Sequence, residues 1–383
     1  MAQIRQEINI LDRTTPGGGG ADSATGELIS LTTGSYDGTV TYYFEAIAKV
    51  ASGTYTVTLQ RAGTTTDDAT LTFTETSYTR KRVSFTPGVS EYEITASGGV
   101  SGSLRAARIV ITQNTAPITK TETQIEIGNS EFNKTNTTKQ ALTNPKYWYF
   151  DSTKWDATTA FYAEVTYRIS SSMENVTIVL QEDDGSFANW TDKVTIVSAG
   201  TSTSPDLVRS ASFTPTSGRN YRLAASITSN MENYQIYNAK IIVISTNSPT
   251  KIEAQYLLLN TPDTLSTGLL DYDTYFDPAE WVSVTNTYIH EGNGVSAGTA
   301  DLKLQEDPNG TPADITGSTI TDCIEREQSS ALTMPASAKE IDVNVTSILS
   351  AVNASRILAQ VSIDPVGGLI PTQGTLFINS KFF

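Results

Sequence analysis

One cysteine, Cys323, and one histidine, His290, are all that the 383 residues contain. A lone cysteine cannot form an intrachain disulfide, and it leaves a thiolate zinc site short of ligands. A lone histidine removes most catalytic triads and His-based acid–base schemes. His290 ends a strand beside Gly292-Asn293-Gly294, which predicts a surface position. Cys323, within Thr321-Asp322-Cys323-Ile324, reads as a buried structural thiol. Basic residues are also scarce: 26 Lys and Arg stand against 41 Asp and Glu, for a formal charge of −15. That balance argues for solubility and against a nucleic-acid partner or docking on anionic lipid. No apolar run approaches the ~18 residues of a membrane span, so no membrane insertion is expected. Nor does an apolar stretch follow the first basic residues as a secretory leader would, so the expected origin is cytosolic.

Thr, Ser, Gly, Val, Ile and Tyr dominate, and helical periodicity is nearly absent. Residues 41–50, TYYFEAIAKV, alternate with a period of two, which predicts a strand with one buried face. Similar short strands recur every 8–12 residues or so between Gly, Asp, Thr and Ser clusters, the pattern of an all-β sandwich; about eight per module suits a jelly roll.

The strongest signal is internal repetition. Phe150-Asp151 with Trp155 recurs at Phe276-Asp277 with Trp281, both 126 residues later. A looser copy is Tyr36-Asp37. The strand-ending glutamines Gln60, Gln181 and Gln305 are 121 and 124 residues apart, and Ser84-Phe85-Thr86-Pro87 returns at Ser212-Phe213-Thr214-Pro215 after 128. These landmarks predict three β-sandwich modules at 1–115, 116–247 and 248–364, joined by short proline-bearing linkers into a stiff rod-like arrangement. A C-terminal arm, 365–383, lies outside the repeat. It is apolar, and predicts either one more strand on the third module or an arm that docks on a neighbouring subunit.

Few residues invite chemistry. Leu180–Ser186 and Leu304–Gly310 are acidic hairpins whose Asp-Gly and Pro-Asn-Gly sequences suit tight turns. Asp183, Asp184 and Asp307 are the weak calcium candidates, at spacings unlike an EF-hand loop; no cofactor is expected. Paired carboxylates on a sandwich also raise glycoside hydrolysis, but these sit on exposed turns of repeated modules. The run Gly17–Gly20 lacks the Lys-Ser/Thr of a phosphate-binding loop. Phe150 and Trp155, matched at Phe276 and Trp281, read as packing residues. Trp148 and Trp190 have no counterparts and, with Phe377, Phe382 and Phe383 of the arm, are the candidate contact surface.

The aromatic-Asp opening, the alternating strand Tyr42–Ala46 and the closing strand Ala106–Ile111 together resemble tandem jelly-roll modules of the galactose-binding or carbohydrate-binding type. Such modules occur in phage and viral virion proteins and in secreted adhesins. The resemblance implies a non-enzymatic virion structural protein: a capsid decoration or a head or tail fibre, homo-oligomeric and contacting a major capsid or other virion protein. The alternative is a glycan-binding adhesin or extracellular filament subunit that meets a cell-surface glycan.

Overall fold

The computed structural model describes residues 3–362, apart from 12–14, 17–22, 25–26, 115–117, 143–145, 157–158, 260–267, 270–273, 282–285, 295–299, 308–310 and 349–351. The Gly17–Gly20 run, the arm and its Phe377, Phe382 and Phe383 therefore lie outside the described residues.

Six antiparallel sheets form three sandwiches with one topology. In the first, one sheet holds Gln3–Leu11, Ser103–Asn114, Thr39–Lys49 and Thr79–Phe85 side by side. The other holds Glu91–Ser97, Tyr55–Arg61 and Asp67–Phe73, with the short strands Ser23–Ala24 and Ile29–Ser30 on its edge. With the two short strands counted as one, the first, eighth, third and sixth strands share a sheet, and the second, seventh, fourth and fifth share the other. This is the jelly-roll order. The second sandwich repeats it with Thr121–Lys134, Tyr234–Ser245, Thr159–Ile169 and Asp206–Arg209. The third does so with Lys251–Leu259, Val352–Ser362, Asn286–Gly294 and Arg326–Ala331. The expected all-β sandwiches are what the chain forms.

Period-two alternation gives each sandwich its core. Phe44, Ala46 and Ala48 point inward with Ile109 and Ile111 across the sheet, all buried. The aromatic packing repeats as well. Trp155 meets Phe161 edge-on at 6.0 Å, and Tyr36 meets Tyr42 edge-on at 6.3 Å. Phe161 and Tyr42 in turn contact Phe213 and Phe85. Phe276 and Tyr288 form the matching pair in the third sandwich, edge-on at 5.5 Å, equivalent to Phe150 on Phe161 at 5.2 Å. Phe150, Trp155 and Phe276 are thus core residues. The first copy is offset from its apparent register: its 3-10 turn Thr33–Ser35 precedes Tyr36, whereas Ser152–Lys154 precedes Trp155. Tyr36-Asp37 therefore corresponds to Trp155-Asp156, not to Phe150-Asp151.

The arrangement of the sandwiches departs from the expected rod. The opening strands Gln3–Leu11, Thr121–Lys134 and Lys251–Leu259 all contact one another, and the third sandwich returns onto the first. Short linkers alone would permit end-to-end stacking. The face of each opening sheet that alternation leaves polar is instead covered by the neighbouring sandwich, and three such covered faces close a ring. Ile4 of the first sandwich accordingly packs in the apolar cluster shared by the second and third.

Candidate functional site

The centre of the ring is the most unusual chemical environment among the described residues, because it buries charge three times over in one pattern. Glu45, Glu164 and Glu291 occupy equivalent strand positions and pair across the sheet with Arg108, Lys240 and Arg356. All six are buried. A second cation reaches each carboxylate from the sixth strand: Arg80 to Glu45, Arg209 to Glu164 at 2.9 Å, and Arg326 to Glu291 at 2.8 Å. Burial pushes Glu45 and Glu291 toward the neutral acid, but Arg108 and Arg80 beside the first, and Arg326 and Arg356 beside the second, outweigh it and hold both near about 2.

Each sandwich lays the segment around its aromatic turn across the opening sheet of the next. From the first, Ser30 donates to Glu164 at 2.8 Å, Ser35 donates to Glu122 at 3.0 Å, and the Leu28 carbonyl accepts from Thr166 and Asn238. From the second, the Tyr147 carbonyl accepts from Arg356, Tyr149 lies under Arg326 at 4.3 Å, and Lys154 reaches Glu253 at 3.4 Å. From the third, Tyr275 lies under Arg80 at 4.2 Å, and Glu280 pairs with both Arg5 and Arg82. Two equivalent positions, Ser30/Tyr149/Tyr275 and Ser35/Lys154/Glu280, thus make contacts at all three junctions, and a third, Leu28/Tyr147, does so at the first two. A head-to-tail contact repeated until it closes is the geometry of a cyclic trimer, here within one chain.

Two junctions carry a further device. Asp37 accepts from the backbone N–H of Thr119 and Lys120, and Asp156 accepts from those of Thr250 and Lys251. Each carboxylate fixes the strand that starts the next sandwich. The residue after Trp281 is Val282, so the third turn has no such carboxylate in its sequence.

Two expected positions, those of Trp148 and His290, are corrected. Trp148 is 2 % exposed, packed among Phe150, Phe161 and Tyr221 in the second core, so it presents no surface. Trp190 is half-buried, stacked on Tyr147 at 5.7 Å beneath the Arg222 guanidinium. His290 is fully buried, not on the surface: Nδ1 lies 2.8 Å from the Ser318 carbonyl and Nε2 2.7 Å from Ser355 Oγ. A carbonyl can only accept, so Nδ1 carries the proton and Nε2 accepts from Ser355. Burial lowers the imidazole pKa to about 4. Cys323 is buried, and burial pushes its thiol up to about 12.

The acidic turns are occupied internally. Asp183 is buried and accepts from Asn220 and Phe187, while Asp184 accepts from Ser186 and Asn189. Asp307 pairs with Lys339. Among the described residues, no group of three His, Cys, Asp or Glu side chains is placed to hold a metal ion.

One surface feature escaped the sequence reading. Ser170-Ser171-Ser172-Met173-Glu174-Asn175 returns 58 residues later as Thr228-Ser229-Asn230-Met231-Glu232-Asn233. The two turns lock reciprocally: Ser170 donates to Glu232, and Thr228 donates to Glu174. Met173 and Met231 stand out from this base, 90% and 88% exposed. The repeated hexapeptide is visible in the sequence, but its period is shorter than that of the modules.

No family model matches the chain, and no curated protein sequence does. Among solved structures it is similar to the VP2 subviral particle of infectious bursal disease virus, at 6% identity over 94% of this chain and 80% of that one, with a TM-score of 0.24. It is also similar to the STIV MCP, at 8% identity over 66% and 99% with a TM-score of 0.21. A third is an archaeal virus structure with a triple jelly-roll fold and turret assembly, at 10% identity over 94% and 91% with a TM-score of 0.20. These overlaps are too loose to transfer any residue.

Proposed function

We propose that the chain is a non-enzymatic structural protein of a virion, most consistent with a shell component or capsid decoration that associates with copies of itself. The observation that supports this is the closed ring. Three jelly rolls that satisfy their head-to-tail contacts within one chain leave a finished tile, whose further contacts must use outward surfaces. The exposed methionine pair, Met173 and Met231, is such a surface, since adaptable apolar Met side chains suit protein contacts. A fibre would draw on an end-to-end rod, and the ring does not supply one. An exposed groove lined by Trp148 and Trp190 would favour the glycan-binding alternative, but Trp148 is buried in the second core.

Electron microscopy of the purified protein tests the proposal. Ordered arrays, shells or closed oligomers are the expected result. A protein that stays monomeric at high concentration, and binds a glycan on a glycan array, contradicts it.

A further inference from the structure

We infer that one residue of each aromatic turn, with the two strand positions it meets on the next sandwich, forms a charge code that directs the third sandwich onto the first. The turn residues are Ser35, Lys154 and Glu280, each immediately before Tyr36, Trp155 or Trp281. The first strand position is Arg5, Glu122 or Glu253. These are equivalent, since each stands four residues before the strand partner of Arg108, Lys240 or Arg356, namely Asn9, Glu126 and Leu257. The second position is Arg82, Arg209 or Gln328, the sixth-strand residue opposite Glu45, Glu164 or Glu291.

At every junction the charge of the turn residue balances the pair it meets. Glu280 meets two arginines, Arg5 and Arg82, and pairs with both. Lys154 meets the sandwich whose pair is a carboxylate and an amide, Glu253 and Gln328, and reaches Glu253 at 3.4 Å. Ser35 meets the sandwich whose pair offsets itself, Glu122 and Arg209; it is neutral and donates to Glu122. Mismatches are penalised from both sides. Glu280 set on the second or third opening strand must sit beside Glu122 or Glu253 as a like charge, or take up a proton. Lys154 set on the first would meet two arginines, and Ser35 there would leave both unpaired. Like charges brought together in a buried contact oppose docking, which is how specific interfaces reject wrong partners. The code acts where it is needed: the third and first sandwiches are not consecutive in the chain, so side chains must specify the seam between them.

Moving the second-to-third code to this seam tests the proposal in the full chain. Glu280→Lys alone should speed hydrogen exchange in Gln3–Leu11 by at least about ten-fold. Adding Arg5→Glu, Glu7→Gln and Arg82→Gln reproduces at the seam the set Lys154, Glu253, Gln255 and Gln328. Exchange should then return to within about three-fold of the parent, a compensation that a merely structural role does not produce. Unchanged exchange in Glu280→Lys, or a folded four-residue variant no better protected than Glu280→Lys, overturns the proposal. If circular dichroism shows the four-residue variant unfolded, two single changes at the second-to-third junction decide. Lys154→Glu should speed exchange in Lys251–Leu259 at least about ten-fold more than Lys154→Ser, and equal effects overturn the code. None of these outcomes depends on the virion reading, which electron microscopy of the parent protein tests.

Discussion

Arg5, in the opening strand of the first sandwich, forms a buried ion pair with Glu280 in the aromatic turn of the third, 275 positions away in the chain. It is one of the contacts that close the ring between the third sandwich and the first, beside Glu280–Arg82 and Arg80 on Tyr275. Arg5 also holds Glu7, and Glu280 also holds Arg82, so the pair sits in a short chain of charges. Burial raises Glu280, but the two arginines outweigh it and keep the carboxyl below its usual range. Breaking one side of such a pair costs about 3–5 kcal/mol, because the remaining buried charge loses its partner.

Glu280→Gln therefore should destabilise the chain by about 3 kcal/mol, since Arg5 retains Glu7. Urea unfolding measures the loss. Hydrogen exchange should speed specifically in Gln3–Leu11, while the second sandwich keeps its protection.

Asp156→Ala removes an acceptor shared by two backbone N–H groups and a hydroxyl. The expected cost is about 2 kcal/mol, as charge-assisted bonds of this kind are worth more than neutral ones. Limited proteolysis should cut residues 246–250 faster in the variant. Asp37→Ala should do the same at 115–120.

The lone histidine gives a clean pH test. Its folded pKa is about 4 against about 6.5 unfolded, with burial as the main cause. Above about 6.5 both states are neutral and the native packing is fully favoured. As pH falls from 6.5 to 4, the unfolded chain binds a proton that the folded chain refuses, so stability drops. His290→Gln should flatten that part of the Tm–pH curve relative to the parent. The burial-raised Glu122 and Glu253 act with the opposite sign. Their carboxyls favour the folded state below the unfolded carboxylate pKa and lose that advantage as pH rises through their folded values.

Met173→Asp combined with Met231→Asp should leave Tm nearly unchanged, as surface substitutions usually lie within about 0.5 kcal/mol. Self-association should weaken at least ten-fold, measured by sedimentation velocity. Unchanged association would remove this tip from the assembly surface.

Strands, repeats and the jelly-roll class were legible because alternation and turn chemistry are local. Which face of a sheet is wet is not local. Glu45 alternates with Phe44 and Ala46 like any solvent-facing residue, yet it is 1 % exposed, paired with Arg108 and Arg80, the latter in turn stacked on Tyr275 of the third sandwich. The ring was therefore hidden, and with it the meaning of the Glu45, Glu164 and Glu291 series. Trp148 misled for a related reason: its lack of a counterpart reflects how one core is filled, not contact with a partner. His290 is covered by the Ser318 turn, 28 residues further on, which no strand-end pattern foretells. The Tyr36-Asp37 offset arose because the aromatic-Asp pair occurs at both ends of the 3-10 turn in the second copy.

The most direct test of the account is small-angle X-ray scattering on the size-exclusion monomer. A closed ring of 383 residues should give a radius of gyration near the compact-chain value, about 21 Å. Three sandwiches stacked end to end, each about 36 Å long from its 11-residue strands, would give about 30 Å and a strongly skewed distance distribution, and that result would contradict the ring.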